Sequence, residues 1–203
     1  MKPRPRYLGL ATLFCILCLH PSSASEPKHW EIPFGTTLPE DGALHGKIYQ
    51  MPLNARLLPD FESLHPKGDF YAYSLSVKNQ NTFPWHGLPG SEWYAIDYRG
   101  VFWLQKETRL HFRLYSDDGS KLYIDDKCVI DNDGVHSFAG RGSFVRMKPG
   151  LHHIRVSYFQ GPAPYVGLVL AVKPKDEDLK PFDLREYPLP AGASAQELEQ
   201  RPH

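Results

Sequence analysis

Apolar side chains recur at every second position through much of residues 45–172, where no helical period of useful length is present. Residues 109–115 show the pattern clearly, because Leu110, Phe112 and Leu114 alternate with arginine, histidine and tyrosine. Successive side chains of a strand point to opposite faces, so this alternation predicts strands with one buried and one solvated face. The pattern as a whole predicts eight or nine strands. The expected core includes Leu110, Ile124, Ile154 and Leu170.

Short segments rich in Asp, Gly and Pro separate the predicted strands, as tight turns do. They lie at residues 117–119, 125–127 and 148–150. Because each one joins neighbouring strands, the sequence predicts an all-β domain, an antiparallel β-sandwich or barrel. The simplest arrangement of such strands is a meander, in which each strand pairs with the next along the chain.

The N-terminus has the composition of a signal peptide. Three basic residues precede an apolar run at residues 7–19, and small residues follow at 22–25. The run is about 13 residues long, whereas a bilayer span needs about 20. We therefore predict a signal peptide over residues 1–25 and a secreted or periplasmic protein of the cell envelope, not membrane-spanning after cleavage. Residues 26–43 are predicted to be an irregular lead-in to a sandwich over residues 44–174.

The C-terminal segment differs in composition from the predicted sandwich. Residues 175–203 are rich in proline and charge and have no sustained apolar period, so they are predicted to form a tail. Within this tail we expect Phe182, Leu184 and Tyr187 to dock on the sandwich. Residues 191–203 are expected to be frayed.

Charge and cysteine content exclude some classes of protein. The chain has 23 basic and 23 acidic side chains, and removing the predicted signal peptide leaves 20 basic against 23 acidic ones. Nucleic-acid binding normally needs a concentrated basic face, so no nucleic-acid partner is expected. Cys128 would be the one cysteine left after cleavage and could form no internal disulfide. Because it lies in the alternating residues 127–130, we expect a buried, inert thiol.

Several motifs occur in a characteristic order. SDDGSKLYIDDKCVIDNDGVH at residues 116–136 is followed by Gly150, by LHHIRVSYFQG and by the apolar LVLAV. In order and spacing these motifs resemble the protective-antigen (PA14) domain family over about residues 44–174. Two segments further upstream are also similar to the family. A hairpin of the family is similar to AIDYRGVFWLQKETRLHFRL, and its opening strand is similar to HGKIYQ. The match departs from the family's glycines at Asp126 and around residues 107–108. The resemblance implies an antiparallel β-sandwich of the PA14 type.

The resemblance also implies a candidate binding site. In the fungal adhesins of the family, two adjacent aspartates at this turn hold a calcium ion that in turn holds sugar hydroxyls. Carried over to Asp117 and Asp118, this implies a carbohydrate site with Ca²⁺ as its candidate cofactor. The adhesins also use an asparagine after a later strand, and the comparable residue of this chain is Gln160, which is longer. Alternatively, Asp117 and Asp118 cap the turn by accepting backbone N–H bonds.

Two further groups of side chains are candidates for ligand contact. Trp85 and His86 lie in a loop at residues 79–93, and aromatic side chains on loops can stack on sugar rings. The alternative is that rings of this loop plug an open end of the sandwich. Asp131 and Asp133 could form a second oxygen-rich loop or serve as caps at the end of a strand.

The sequence lacks the motifs of the common catalytic sites. There is no Gly-x-Ser-x-Gly, no phosphate-binding loop, no dinucleotide fingerprint and no His-Glu-x-x-His. His152 and His153 would point to opposite faces of a strand and so could not share one metal ion. We therefore predict a non-catalytic, extracytoplasmic module that binds carbohydrate such as a cell-surface glycan. The alternative is a structural or interaction domain that docks an envelope protein.

Overall fold

Two antiparallel β-sheets pack face to face in the computed structural model, which describes residues 33–82, 84–174 and 177–200. The strands are β1 Leu44–Gln50, β2 Gly68–Ala72, β3 Ser76–Asn81, β4 Tyr94–Leu104, β5 Thr108–Asp117, β6 Ser120–Ile124, β7 Lys127–Asn132, β8 Ala139–Met147, β9 Gly150–Gln160, β10 Tyr165–Lys173 and β11 Lys180–Pro181. Within these residues, helical structure consists of single 3₁₀ turns at Phe61–Ser63 and Leu184–Glu186 and the helix α1, Ala195–Glu199. The prediction of an all-β sandwich is confirmed.

The chain passes repeatedly from one sheet to the other. One sheet has the order β2, β1, β4, β9, β6, β7, and the second has the order β11, β10, β5, β8, with β3 also paired to β10. The predicted meander is therefore wrong. The turns at residues 117–119 and 148–150 carry the chain between sheets, because alternation specifies which face is buried but not which strand lies alongside. The turn at Asp125 and Asp126 does close a hairpin, and both residues have the positive φ typical of a two-residue hairpin turn.

The alternating apolar positions form the core between the two sheets. Leu110, Ile124, Ile154 and Leu170 are 1%, 3%, 1% and 0% exposed, as expected. Fully buried aromatic side chains fill much of the remaining space: Tyr94, Tyr98, Phe102, Phe112, Tyr158 and Phe182. The hydroxyl groups of the buried tyrosines are polar and favour hydrogen-bond partners inside the core.

Both segments flanking the predicted domain contribute to the folded structure. Phe34, from the irregular lead-in, is fully buried, and its carbonyl oxygen accepts a 2.6 Å hydrogen bond from the Tyr98 hydroxyl. In the C-terminal segment, β11 pairs with β10, while Phe182 and Leu184 lie in the core. The predicted signal peptide lies outside the described residues. No helix in the part of the chain that the structure describes is long and apolar enough to cross a bilayer.

Part of the segment 191–203, which was expected to be frayed, forms the helix α1, and residues 201–203 lie outside the described residues. Ser194 caps α1, with a reciprocal hydrogen bond between its backbone N–H and the Glu197 side chain. This capping box satisfies two backbone donors at the start of the helix. Leu198 is buried, which anchors the short helix to the sandwich.

Cys128 is exposed, so the prediction of a buried thiol is wrong. β7 is an edge strand, and its register with β6 shifts between Leu122 and Tyr123. The shift places Cys128 opposite Tyr123, on the outer face of the sheet, and Ile130 opposite the buried Leu122. A local irregularity of this kind changes which side chains face the core, and strict alternation does not reveal it.

We expect Cys128 to react with a soluble maleimide in the folded protein, slowly at neutral pH and faster as the pH rises. Partial burial and the nearby charge of Asp131 raise the pKa of its thiol, which lowers the fraction of reactive thiolate at pH 7. Peptide mass spectrometry after timed labelling measures the rate, with Cys128→Ser as the control. Protection of the thiol until the protein unfolds would contradict its exposed position.

Candidate functional site

The Asp117 and Asp118 turn lies where the chain passes from the second sheet to the first. Asp117 ends β5, and β6 begins at Ser120. Asp117 and Asp118 are 6% and 3% exposed, and the peptide bond between them is cis. Gly119 follows in a crowded position, where a Cβ atom would lie 2.3 Å from the Phe159 ring. The turn is therefore packed into the end of the sandwich.

Both carboxylates accept hydrogen bonds from the backbone of neighbouring loops. The backbone N–H of His136 donates to one oxygen of Asp118 at 3.0 Å, and that of Gly161 donates to the other at 2.8 Å. The carboxylate of Asp117 accepts a hydrogen bond from the backbone N–H of Phe138. These are the bonds expected of capping aspartates, but they extend to two other loops.

Three loops therefore meet at the two aspartates: residues 117–119, 133–138 and 161–164. We refer to them as the three-loop cluster. They connect β5 to β6, β7 to β8 and β9 to β10, and each connection passes from one sheet to the other. Because these crossings come together, side chains of the first loop can hold the backbone of the other two.

Within the described residues, the carboxylates of Asp117 and Asp118 have no lysine or arginine as an ion-pair partner. Burial raises the pKa of both above its ordinary value, although the backbone N–H bonds and the charge of His136 partly oppose this shift. Within the described residues, no lysine or arginine lies within ion-pair distance of either carboxylate. The nearby Asp131 and Asp133 differ, because the Lys121 ammonium lies 3.3 and 3.2 Å from their carboxylates.

Asp131 and Asp133 also cap backbone groups. One oxygen of Asp133 accepts hydrogen bonds from the N–H groups of Leu58 and Gly134, both at 2.9 Å. Asp131 accepts one from the N–H of Asp133 at 3.1 Å. Lys121 and these backbone donors therefore bind the carboxylates of Asp131 and Asp133. In the described residues, the carboxylates of Asp117 and Asp118 have no such lysine or arginine partner.

The Asp117 and Asp118 pair fits a hard cation in charge and in ligand chemistry. Calcium takes about six to eight oxygen ligands, which carboxylates, backbone carbonyls, water and other hydroxyls can supply. Among the residues described, no group of three or more acidic, histidine or cysteine side chains could hold a metal ion. The two carboxylates would therefore hold calcium only together with carbonyl, water or sugar oxygens.

Gln160 lies inside the sandwich, next to the three-loop cluster. It is 0% exposed, and its amide group donates a hydrogen bond to the carbonyl oxygen of Tyr165 at 2.8 Å. Its amide oxygen lies 2.6 Å from the Tyr158 hydroxyl, which is also 2.7 Å from the carbonyl oxygen of Asp117. Gln160 thus holds the third loop from within and presents no surface to a ligand.

The loop at residues 79–93, which carries Trp85 and His86, contributes mainly to the core. Trp85 is half-buried and packs edge-on against Phe34, with ring centroids 5.8 Å apart. Phe34 in turn stacks on Tyr158 at 5.6 Å. His86 is exposed. Trp85 therefore supports the end of the sandwich, in line with the plugging alternative, whereas His86 remains on the surface.

Exposed side chains that the sequence did not single out lie in or beside the three-loop cluster. Val135, in the second loop, is 42% exposed, and Tyr165, directly after the third loop, is 50% exposed. Tyr165 pairs with Asn81 of β3, which is also exposed. An aromatic ring and a carboxamide are suited to stacking on a sugar and to binding its hydroxyls. No motif marks these residues, because their exposure depends on how the loops fold.

A groove of about 980 Å³ lies elsewhere, between the edge strands β7 and β8. Its lining includes Cys128, Phe144 and Leu198. No residue of the three-loop cluster lines this groove. A ligand of the cluster would consequently bind separately from it.

Solved structures with widely different sequences share this fold. A PA14 sugar-binding domain from an RTX adhesin has 15% identity and a TM-score of 0.61, over 71% of this chain and 96% of its own. The A domain of epithelial adhesin 9 from Candida glabrata, in complex with Galβ1-3GlcNAc, has 11% identity and a TM-score of 0.51, over 76% of this chain and 93% of its own.

A third structure, of an anti-sigma factor domain-containing protein, has 16% identity and a TM-score of 0.58 over 76% of this chain. This chain spans 50% of that protein's length. A comparison with curated proteins gives no match.

The family model of the PA14 domain matches residues 66–183, more than half of the chain. The match runs from β2 to β11 and contains all of the three-loop cluster. It also contains the buried Phe182, which lies beyond the boundary predicted from the sequence. The two packed sheets and this match lead to one conclusion: the chain belongs to the PA14 domain family.

Proposed function

We propose that this chain is a non-catalytic, extracytoplasmic module that binds carbohydrate at the three-loop cluster, with Ca²⁺ as the candidate cofactor. The observation that carries the proposal is that the buried carboxylates of Asp117 and Asp118 have no lysine or arginine within ion-pair distance in the described residues. Calcium would supply positive charge to these carboxylates and coordination positions for sugar hydroxyls.

The relatives of the fold support this proposal. The RTX adhesin domain is described as sugar-binding, and the Candida glabrata adhesin domain is in complex with a disaccharide. Membership of the PA14 family makes a corresponding activity of this chain the natural hypothesis. Location outside the cytoplasm is supported by the signal peptide predicted from the sequence.

The proposed roles of the site residues differ. Asp117 and Asp118 hold the cation and tie the three loops together, and Gln160 positions the third loop from inside. Tyr165 and His86 provide exposed rings that a sugar can contact. Trp85 supports the loop that carries His86.

A glycan array probed with the chain from Glu26 onward, with calcium and with a chelator, tests the proposal. We expect binding to a restricted set of glycans, reduced by the chelator because calcium both balances the carboxylates and holds the sugar. Binding unaffected by the chelator would mean that the protein holds the sugar without the ion. Thermal unfolding with and without calcium provides an independent measure of ion binding.

An array without binding in either condition would overturn the carbohydrate proposal. Co-purification of a specific envelope protein with the same chain would then favour the alternative, an interaction domain. Deleting residues 188–203, which follow the last 3₁₀ turn, separates the two cases further. Loss of partner binding by a folded variant would assign the docking role to this C-terminal segment.

A further inference from the structure

The outer face of the second sheet carries cationic and aromatic side chains that the proposed function does not use. On β5, the outward-facing positions alternate with the buried leucines and phenylalanine: Arg109, His111, Arg113 and Tyr115. The neighbouring strands β8 and β10 add Arg146, Phe144 and Lys173 in register with them. Arg109, Arg113, Lys173, Tyr115, Phe138 and Phe144 are called the cationic platform below.

Two rings of the platform lie over glycines of the sheet. A Cβ atom on Gly140 would fall 2.2 Å from the ring of Tyr115, and one on Gly167 would fall 2.7 Å from the ring of Phe138. The two ring planes are inclined by 16°, with their centroids 6.0 Å apart. Both side chains are half-buried, so part of each ring remains on the surface. Because these glycines have no side chain, the two aromatic rings can lie flat against this part of the sheet.

Phe144 is the most exposed ring of the platform. It is 61% exposed, although it is a large apolar side chain. The Arg109 guanidinium lies 4.5 Å from its centroid, and the imidazole of His111 stacks on it at 4.3 Å. Because Phe144 is exposed and is held in place by a cation and a second ring, it is suited to contact a ligand.

The positive charges of the platform lack acidic partners. Within the described residues, no carboxylate lies within ion-pair distance of Arg109, Arg113 or Lys173, and the acidic Glu107 pairs with Arg146 at 3.4 Å. Partial desolvation, followed by the charges of Arg113 and Lys173, lowers the pKa of His111. The charges of Arg109, Arg113 and Lys173 are therefore not balanced by an ion pair within the described residues.

We propose that the cationic platform binds an anionic polysaccharide, with its carboxylate or sulfate groups on the cations and its sugar rings on the aromatic side chains. Arginine presents a rigid set of N–H donors that matches such anions, and sugar rings stack on aromatic faces. Outward positions on a strand recur about every 6.8 Å, so a linear polymer lying along β5 can contact several of them. This inference goes beyond the proposed function, because it concerns the outer face of the second sheet, which shares only Phe138 with the three-loop cluster.

Nucleic acid fits this surface less well than a polysaccharide. Nucleic-acid binding proteins typically make about 6 to 10 phosphate contacts, whereas the unpaired cations of the platform number three. The bases of a double helix are stacked on one another and cannot lie flat against the aromatic rings of the sheet, whereas the sugar rings of a polysaccharide can.

The test compares two triple variants in which three cations are replaced by glutamine. The first changes Arg109, Arg113 and Lys173. The matched control changes Lys47, Arg56 and Lys67, which are exposed, lie in or beside β1 and β2 of the other sheet, and have no ion pair in the described residues. Biolayer interferometry at low ionic strength measures binding to polygalacturonate, chondroitin sulfate, neutral dextran and double-stranded DNA. Matching thermal transitions establish that both variants are folded.

We expect the platform variant to weaken binding to at least one of the two anionic polysaccharides about tenfold or more, and the control less than about twofold. Added salt should weaken binding of the native chain, and Phe144→Ala should weaken it without altering the salt dependence. Equal losses in the two triple variants, or no binding of either anionic polysaccharide, would overturn the proposal. DNA binding as tight as polysaccharide binding, and lost in the platform variant, would also overturn it and assign the platform to nucleic acid.

Discussion

Phe182→Ala is expected to lower the free energy of unfolding by about 3 to 5 kcal/mol, because it removes a large side chain and leaves a cavity. The Phe182 ring is fully buried, with its centroid 5.5 Å from that of Phe102 and 5.7 Å from that of Phe112. It also stacks on Tyr187 at 5.2 Å. Urea unfolding monitored by tryptophan fluorescence measures the change.

The matched control for this prediction is Leu179→Ala in the same segment. Leu179 is 42% exposed, so its truncation should change the free energy of unfolding by less than about 1 kcal/mol. Similar small effects of the two substitutions would show that residues after 174 are an appendage. A large effect of Phe182→Ala alone would show that the sandwich is incomplete without this segment.

Asp118→Ala is expected to destabilise the protein by about 2 to 4 kcal/mol and to abolish carbohydrate binding at the three-loop cluster. The substitution leaves the N–H groups of His136 and Gly161 without their acceptor, in a place where water has little access. It also removes one of the two carboxylates proposed to hold calcium. Denaturant unfolding and glycan binding, the latter measured well below the midpoint of thermal unfolding, report the two effects separately.

Asp131→Ala provides the control for an acidic residue in the same region. Its carboxylate is largely exposed, and its ion pair with Lys121 is screened by solvent, so the stability loss should be at most about 1 kcal/mol. Glycan binding should persist in this variant. Retention of full glycan binding by a folded Asp118→Ala protein would contradict the proposed site, whatever its effect on stability.

The sequence was sufficient to predict the layers of this protein but not the order of its strands. Alternation identified Leu110 and Ile124 as core residues, because a strand between two layers must bury one face. It gave no information on pairing, since a turn such as residues 117–119 can close a hairpin or cross between sheets. It also failed at Cys128, where a shift of register moves a side chain to the outer face.

The candidate site shows a similar division. Asp117, Asp118 and Gln160 are close together in the structure, as the family resemblance implied. The burial of Gln160 and the backbone donors from the second loop depend on contacts between distant segments, which a single sequence does not display. The cationic platform was hidden for the same reason, because Arg113 and Lys173 become neighbours only when β5 and β10 pair.

The alternation of the chain between the two sheets also affects how the protein reaches its final form. Most strands pair with segments that are far away in the sequence. Few native contacts can therefore form before most of the chain has been synthesised. Proteins dominated by such distant pairings typically fold in about milliseconds to seconds, more slowly than helical bundles. A newly made chain of this kind stays unfolded for longer, a property that suits any protein that must be carried through a narrow channel before it folds.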